Sequence, residues 1–294
     1  MTYQEENDIL LNKTYEEYFY NNWKKENEDS KSLELIFSPY CNLKCRYCYL
    51  HKHYDKQFPI ETFNAKKSID NALKICQWLV NNHYTPELDI FSGELFAQES
   101  GFELLEKILD FYSTVPEEDR IKNIIIPTNG TFCGTPNEWR IEKLIQKAMD
   151  LNIPLYLSLS IDGLYMDDDN RPGAERNYSH VFNFAKKYNL CFHPMIYSNN
   201  IEKWIDNFNW FQEQFEKYNI PWYNLYLLQV RNKEWTREQD YELYKFIKYI
   251  INYSWEKCDK DIKKYNDFLY GAPKGLNILN WLGIEDNGKY SCSI

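Results

Sequence analysis

The chain has few of the residues that loosen or interrupt a fold. It has 10 Gly and 11 Pro in 294 positions, and no stretch rich in Gly and Ser that would act as a flexible linker. Long apolar runs are also missing. Ile124 to Pro127 is among the most apolar segments, and it falls far short of the roughly 20 residues that a bilayer demands. The opening MTYQEENDILL is acidic and polar, whereas a signal peptide needs a basic start and an apolar centre. A cytoplasmic location with no membrane partner is therefore expected. Cations are scarce: 34 Lys and Arg stand against 44 Asp and Glu, a formal net charge of -10. A broad nucleic-acid surface needs a basic face to neutralise phosphates, so nucleic acid is not an expected partner. No internal repeat is visible.

What is present is material for a large core. Hydrophobic residues make up 44% of the chain and aromatics 17%, with 25 Tyr. That composition excludes disorder and suffices for one large α/β domain or two small ones. Six short runs rich in β-branched or aromatic residues read as strands: 33–37, 87–91, 121–127, 154–160, 190–197 and 223–230. Helical stripes lie between them. Ile69, Ala72, Leu73, Cys76, Leu79 and Val80 recur at helical spacing, as do Leu105, Ile108, Leu109 and Tyr112, then Ile141, Leu144, Ile145 and Ala148. Ser179 reads as the N-cap of a fourth helix, and Trp204, Phe208, Phe211 and Phe215 mark a fifth. Thr236 to Trp255 is a long helix opening on T-R-E-Q, a capping-box pattern. Residues 258–294 show no clear period.

Strands separated by helices of this length imply parallel pairing through right-handed crossovers. Six such units predict an α/β fold, an open or partial (β/α)6 barrel, with its chemistry at the C-terminal ends of the strands. The expected organisation is a lead-in over residues 1–32, a core over 33–235 and a C-terminal extension over 236–294.

Of the eight cysteines, Cys76, Cys133, Cys191, Cys258 and Cys292 are scattered, but Cys41, Cys45 and Cys48 fall within eight residues. A secreted disulfide scaffold is normally shorter and led by a signal sequence, so a metal site in a reducing compartment fits better. Three thiolates on one loop can hold three irons of a cubane and leave the fourth open to another ligand. The alternative is a zinc site completed by His51 or His53. Structural zinc sites usually pair C-x2-C with a distant second pair, a spacing absent here.

Further short motifs follow the later strands: Ser92-Gly93-Glu94, Thr128-Asn129-Gly130-Thr131, Ser160-Ile161-Asp162-Gly163 and Asp168-Asp169-Asn170-Arg171. With C-x3-C-x2-C, this ordered set resembles the radical S-adenosylmethionine (SAM) superfamily. It is most similar to the anaerobic sulfatase-maturating and SPASM-type peptide-modifying enzymes. The resemblance spans about residues 33 to 255. It implies a [4Fe–4S] cluster on Cys41, Cys45 and Cys48, with SAM on the open iron and one-electron cleavage to a 5′-deoxyadenosyl radical. It places Tyr47 near the adenine and cluster. Gly93, with the backbone of Ser92 and Glu94, would take the methionyl amino group. Asn129 would line the cofactor pocket, Ser160 would bind the ribose and Arg171 would pair with the methionyl carboxylate.

Two positions depart from the family pattern. Ser92 replaces a usual Gly, and Leu95 replaces a usual Pro, which should loosen the turn. The implied substrate is a peptide or protein side chain to be oxidised or cross-linked, with flavodoxin or ferredoxin as electron donor. The alternatives are a small molecule or RNA as substrate, or a non-catalytic metal-binding interaction module. Each motif residue also has a plain structural reading: Glu94 as a capping acid, Asn129-Gly130 as a turn, Ser160 as a polar strand end, Arg171 as a surface arginine. Cys76 reads as core, Cys133, Cys191 and Cys258 as structural, and His83, His180 and His193 as packing or surface residues. Cys292 resembles the first ligand of a SPASM-type auxiliary module, which implies either a fragment lacking that module or a protein that has lost it. No general base is assigned.

Overall fold

A computed structural model describes residues 32–48, 50, 63–230, 235–270 and 274–281. The lead-in over 1–31, His51, His53 and the Cys292 segment lie outside the described residues. The chain forms two compact units. The first runs to Leu157, except for Leu43–Tyr47 and Asn129–Cys133, which belong with Ser158 onward in the second.

In the first unit, strands β1 (Ser32–Ile36), β2 (Glu87–Phe91), β3 (Asn123–Thr128) and β4 (Leu155–Leu159, whose last two residues pass into the second unit) alternate with helices α1 (Ala65–Asn81), α2 (Glu99–Ser113) and α3 (Pro136–Asp150). These four strands lie in the order β1-β2-β3-β4. Pairing is parallel, with Leu33 against Leu88 and Leu88 against Ile124. Period-two alternation buries Leu33, Leu88, Ile90, Ile124, Ile126, Leu155 and Leu157 on one face. The buried stripes of α1–α3, including Leu79, Ile108 and Ile141, cover that face. The other face carries Glu34, Ile36, Asp89 and Tyr156, partly or fully exposed. Local signals set the helix starts: Asn64 Oδ1 accepts from Lys67 N at 3.0 Å, and Thr135 caps α3 ahead of Pro136.

The second unit holds α4 (Tyr178–Tyr188), β5 (Cys191–Phe192), β6 (Met195–Ile196), α5 (Trp204–Tyr218), β7 (Leu228–Gln229), α6 (Arg237–Lys257) and α7 (Ile262–Tyr270). Ser158 and Leu159 pair with Cys191 and Phe192. Its core is aromatic: Phe182, Phe192, Phe211 and Phe215 interlock, and Trp204 and Phe208 meet Phe246 of α6.

Four sequence expectations change. The fifth strand, expected over 190–197, breaks into β5 and β6. Pro194 has no N–H for the ladder, and the Met195 N–H goes to Asp162 Oδ1 at 2.8 Å, away from β4. The sixth, expected over 223–230, narrows to β7, paired with β6, plus a lone bridge from Leu225 to Phe192. The N-cap of α4 is Asn177, not Ser179: Asn177 Oδ1 accepts from Ser179 N at 3.2 Å and Ser179 Oγ at 2.7 Å. The stretch after 258 contains α7, entered through left-handed residues Asp259 and Lys260; none of its residues is buried, so no core-facing stripe had formed in the sequence. The long helix starts as expected, with both bonds of the Thr236–Gln239 capping box present.

Candidate cluster and cofactor site

The loops that leave β1 and β2 lock together in the first unit. Gly93 N–H donates to Ser38 O at 2.7 Å and Glu94 N–H to Tyr40 O at 2.8 Å. Gly93 lies so near this backbone that a Cβ would collide with Tyr40 O and stand 2.5 Å from Tyr40 C and 2.6 Å from Pro39 O. Only glycine permits that approach. Both departures from the family pattern find a local explanation. The Ser92 hydroxyl donates to Ser38 O at 2.9 Å, so a side chain in place of the usual Gly gains a partner. Leu95 is fully buried and begins a single 3-10 turn, Leu95–Ala97, capped by Glu94, so the turn is held without proline. Glu94 itself is buried: its Oε1 accepts from Thr128 Oγ1 at 2.8 Å, joining the ends of β2 and β3. Its carboxylate thus serves the scaffold.

The second unit contains a buried polar hub. Asp162 has no side-chain exposure. Its Oδ1 accepts from Arg171 Nη2 at 3.1 Å and Met195 N at 2.8 Å; its Oδ2 accepts from Tyr47 OH at 2.6 Å and Asn170 Nδ2 at 3.2 Å. Both oxygens are filled, which is what a buried carboxylate requires. Asp167 lies alongside, accepting from Asp162 N at 3.0 Å and Tyr178 OH at 2.6 Å, with Arg176 Nη1 at 2.6 Å. Two acids face two guanidiniums, so the hub is close to neutral. Burial opposes charge on Arg171, but Asp162, with Tyr47 and Cys45, pushes its pKa further above the usual range. Burial likewise raises the Tyr47 hydroxyl.

Several predicted site residues meet at this hub. Arg46 N–H donates to Asn170 O at 2.9 Å, and Arg171 Nη1 lies 3.8 Å from Cys45 Sγ. The Tyr47 ring packs on Tyr197 and under Arg171. Asn129 is buried and turned inward: its Oδ1 accepts from Thr131 N and Oγ1, Gly130 follows in the left-handed region, and Arg176 Nε donates to its carbonyl at 2.8 Å. The Ser160 side chain is partly exposed. Arg171, by contrast, is only 6% exposed, with its guanidinium committed to Asp162 and Cys45.

Sequence reasoning missed Asp162 as the organiser, together with Asp167, Asn170 and Arg176. The Asp-Gly of the fourth motif was the available signal. His193, expected as a packing or surface residue, packs inside the second unit. Phe192 faces the aromatic core, so His193 takes the opposite face, where its N–H bonds Leu159 O at 2.7 Å beside Ser160 and its ring packs against Tyr226. Burial pushes its pKa down to about 4, leaving a neutral imidazole at pH 7.

Cys41 and Cys48 belong to the first unit and Cys45 to the second; all three are partly exposed thiols outside any disulfide. Among the described residues, no three His, Cys, Asp or Glu side chains converge on a single ion. Zinc requires such convergence, and His51 and His53 of the zinc alternative lie outside the described residues. A cubane does not, because each thiolate binds a different iron. The donor chemistry, three soft sulfurs on one loop with a guanidinium beside one of them, suits an anionic iron–sulfur group.

A model of the radical SAM superfamily matches residues 35–238. The chain therefore belongs to the radical SAM superfamily, whose members use a [4Fe–4S] cluster and SAM in a partial (β/α) barrel. It is 31% identical over 142 residues to "Uncharacterized protein MJ0907" of Methanocaldococcus jannaschii, covering 48% of this chain and 42% of that protein. Its fold is similar to that of "Native anSMEcpe with bound AdoMet", at 20% identity and a TM-score of 0.55, over 76% of this chain and 60% of that one. A second structure, "Native anSMEcpe with bound AdoMet and Cp18Cys peptide", gives 19% identity, a TM-score of 0.55 and the same coverage. The chain thus spans less than two thirds of the length of these relatives.

Among the described residues, no helix is long and apolar enough to cross a membrane.

Proposed function

We propose that this chain is a radical SAM oxidoreductase that modifies a peptide or protein side chain, in the manner of the sulfatase-maturating enzymes. The observation that carries the reading is the placement of the motifs: the cysteine loop follows β1, Ser92-Gly93-Glu94 follows β2, Thr128-Asn129-Gly130 ends β3 and Ser160 follows β4. These are the strand ends where folds of this class do their chemistry.

Cys41, Cys45 and Cys48 are the residues that would hold the cluster. Once bound, the cluster and SAM together supply reductive cleavage and hydrogen abstraction. The chain's own residues do the placing. The loop at Gly93 spends its N–H groups on Ser38 and Tyr40, which leaves the carbonyls of Ser92 and Gly93 to accept from a methionyl amino group. Ser160 offers a hydroxyl for the ribose. The Tyr47 ring shapes the adenine side, and Asn129 holds the neighbouring turn. An expected pairing of Arg171 with the methionyl carboxylate would cost its bond to Asp162. The electron would come from a flavodoxin or ferredoxin in the cytoplasm.

The test is anaerobic reconstitution with iron and sulfide, then dithionite and SAM, with the Cp18Cys peptide as the first probe. Mass spectrometry should find 5′-deoxyadenosine and methionine, and a peptide altered in step with them. Replacing Cys41, Cys45 or Cys48 with Ala should abolish iron uptake and cleavage, whereas Cys76→Ala should not. Cleavage without change in any peptide offered, but with turnover of a small molecule or RNA, would overturn the peptide assignment. Absence of iron uptake would favour the binding-module alternative.

A further inference from the structure

The second unit holds a cation against one of the three loop cysteines. We propose that Arg171 is a positioning residue for the cluster: its guanidinium holds the Cys45 sulfur and, balanced against Asp162, sets the local charge that governs how readily the cluster is reduced. This rests on the reading that Cys41, Cys45 and Cys48 bind it.

The geometry leaves Arg171 little else to do. Its side chain is 6% exposed and its partner Asp162 is 0% exposed. Nη2 donates to Asp162 Oδ1 at 3.1 Å, and Nη1 reaches Cys45 Sγ at 3.8 Å. Nε has no hydrogen bond; Asp167 Oδ1 lies 3.9 Å from it, and the nitrogen is shut off from solvent. Incoming carboxylate would have to displace a buried partner to reach this side chain. Asp162 cannot swing away cheaply, since Tyr47, Asn170 and Met195 fill its other acceptor positions. The same hub grips the chain on the C-terminal side of Cys45. Arg46 N–H bonds Asn170 O at 2.9 Å, and the Tyr47 hydroxyl bonds Asp162 at 2.6 Å. Cys45 is thus fixed through its backbone neighbours and through its sulfur.

A guanidinium cannot lose its proton in a protein, so Arg171 presents a permanent positive charge. Cluster potentials respond to net charge, to hydrogen bonds onto the sulfurs and to exposure. Reduction adds an electron, so a cation beside Cys45 favours the reduced state. Asp162 offsets that charge. Changes at the two positions must therefore move the potential in opposite directions.

The experiment is an EPR-monitored potentiometric titration of the reconstituted full chain as wild type, Arg171→Gln, Arg171→Lys and Asp162→Asn. Arg171→Gln should make reduction about tenfold less favourable, which is 59 mV for one electron. Asp162→Asn should shift it upward by a similar factor. Arg171→Lys keeps the charge but loses the planar fork, so its potential should lie between wild type and Arg171→Gln. If Arg171→Gln does not fold, Arg171→Lys and Asp162→Asn decide. Unchanged potentials in both, or shifts of the same sign in the Arg171 and Asp162 variants, would overturn the proposal while leaving the cluster assignment intact. If the wild type takes up no cluster, the functional reading falls and this inference falls with it.

Discussion

Gly93→Ala is the substitution whose cost the structure fixes most tightly. The new Cβ would meet Tyr40 C at 2.5 Å and Pro39 O at 2.6 Å, and would come nearer still to Tyr40 O. All of these are backbone atoms, so no side-chain rotation relieves the clash. The two loops must part, and the bonds from Gly93 N to Ser38 O and Glu94 N to Tyr40 O part with them. Two such bonds are worth about 1 kcal/mol each. Overpacking adds about 1–3 kcal/mol, for a total of about 3–5 kcal/mol. Gly173→Ala is the control. It sits at φ +84 with nothing within 4 Å of its Cβ, so it incurs only the left-handed backbone penalty, about 1–2 kcal/mol. Urea unfolding followed by tryptophan fluorescence gives both values, provided the slope with denaturant stays constant. If Gly93→Ala cost no more than Gly173→Ala, the close approach of the two loops would be refuted, and with it the reason for glycine in this motif.

His193 is held neutral, with a pKa near 4 against an ordinary 6.5. The unfolded chain therefore binds the extra proton first as pH falls, and stability is lost between pH 6.5 and 4, by about 3 kcal/mol in full. His193→Gln should remove that acid sensitivity, seen as a smaller drop in urea midpoint between pH 7 and pH 4.5. Asp89 behaves in the opposite sense. Burial, then Glu87 and Glu34, raise its pKa to about 6 from 3.8, so stability falls as pH rises through that window. Asp89→Asn should stabilise the protein at pH 7.5 by about 1 kcal/mol, discounted for partial exposure, with the gain shrinking toward pH 5. Thr236→Ala removes one arm of the capping box and should cost about 1 kcal/mol, measured as a lower Tm; Thr236→Ser should restore most of it.

The periodic parts of the fold were legible because periodicity records burial. Strand β2 was read at its observed limits, and the stripes of α2, α3 and α5 are faces that the structure buries, whereas in α1 the buried face takes in Ile75 and Trp78 and leaves Leu73 and Val80 half-buried. The errors fall where a single hydrogen bond outweighs pattern, or where no burial leaves a pattern to read. Residues 190–197 are apolar enough for one strand, but Pro194 withholds a donor and the Asp162 carboxylate takes the next one, at Met195. Ser179 has the chemistry of a cap, yet Asn177 was equally able and stood two residues earlier, where its carboxamide accepts from Ser179 itself. Helix α7 escaped notice because none of its residues is buried.

The candidate site was legible as a set of letters and not as a set of directions. A motif says which residue types are needed at a strand end; it does not say whether a side chain turns to a ligand or to the scaffold. Asn129 and Arg171 were expected to face a cofactor, and both spend polar atoms on protein, on Thr131 and on Asp162, as the Glu94 carboxylate does on Thr128. The physical reason is shared. Each is buried, where an unpaired carboxylate, amide or guanidinium would cost several kcal/mol, on the order of the penalty for a broken buried ion pair. The fold therefore satisfies them first. On the proposed function, what remains to meet a small molecule is backbone and hydroxyl: the loop at Gly93 and the side chain of Ser160. Asp162 was the least visible of all, since its importance lies in four partners drawn from positions 47, 170, 171 and 195. The Asp-Gly of its motif marked the residue, but only a folded chain brings those four positions together.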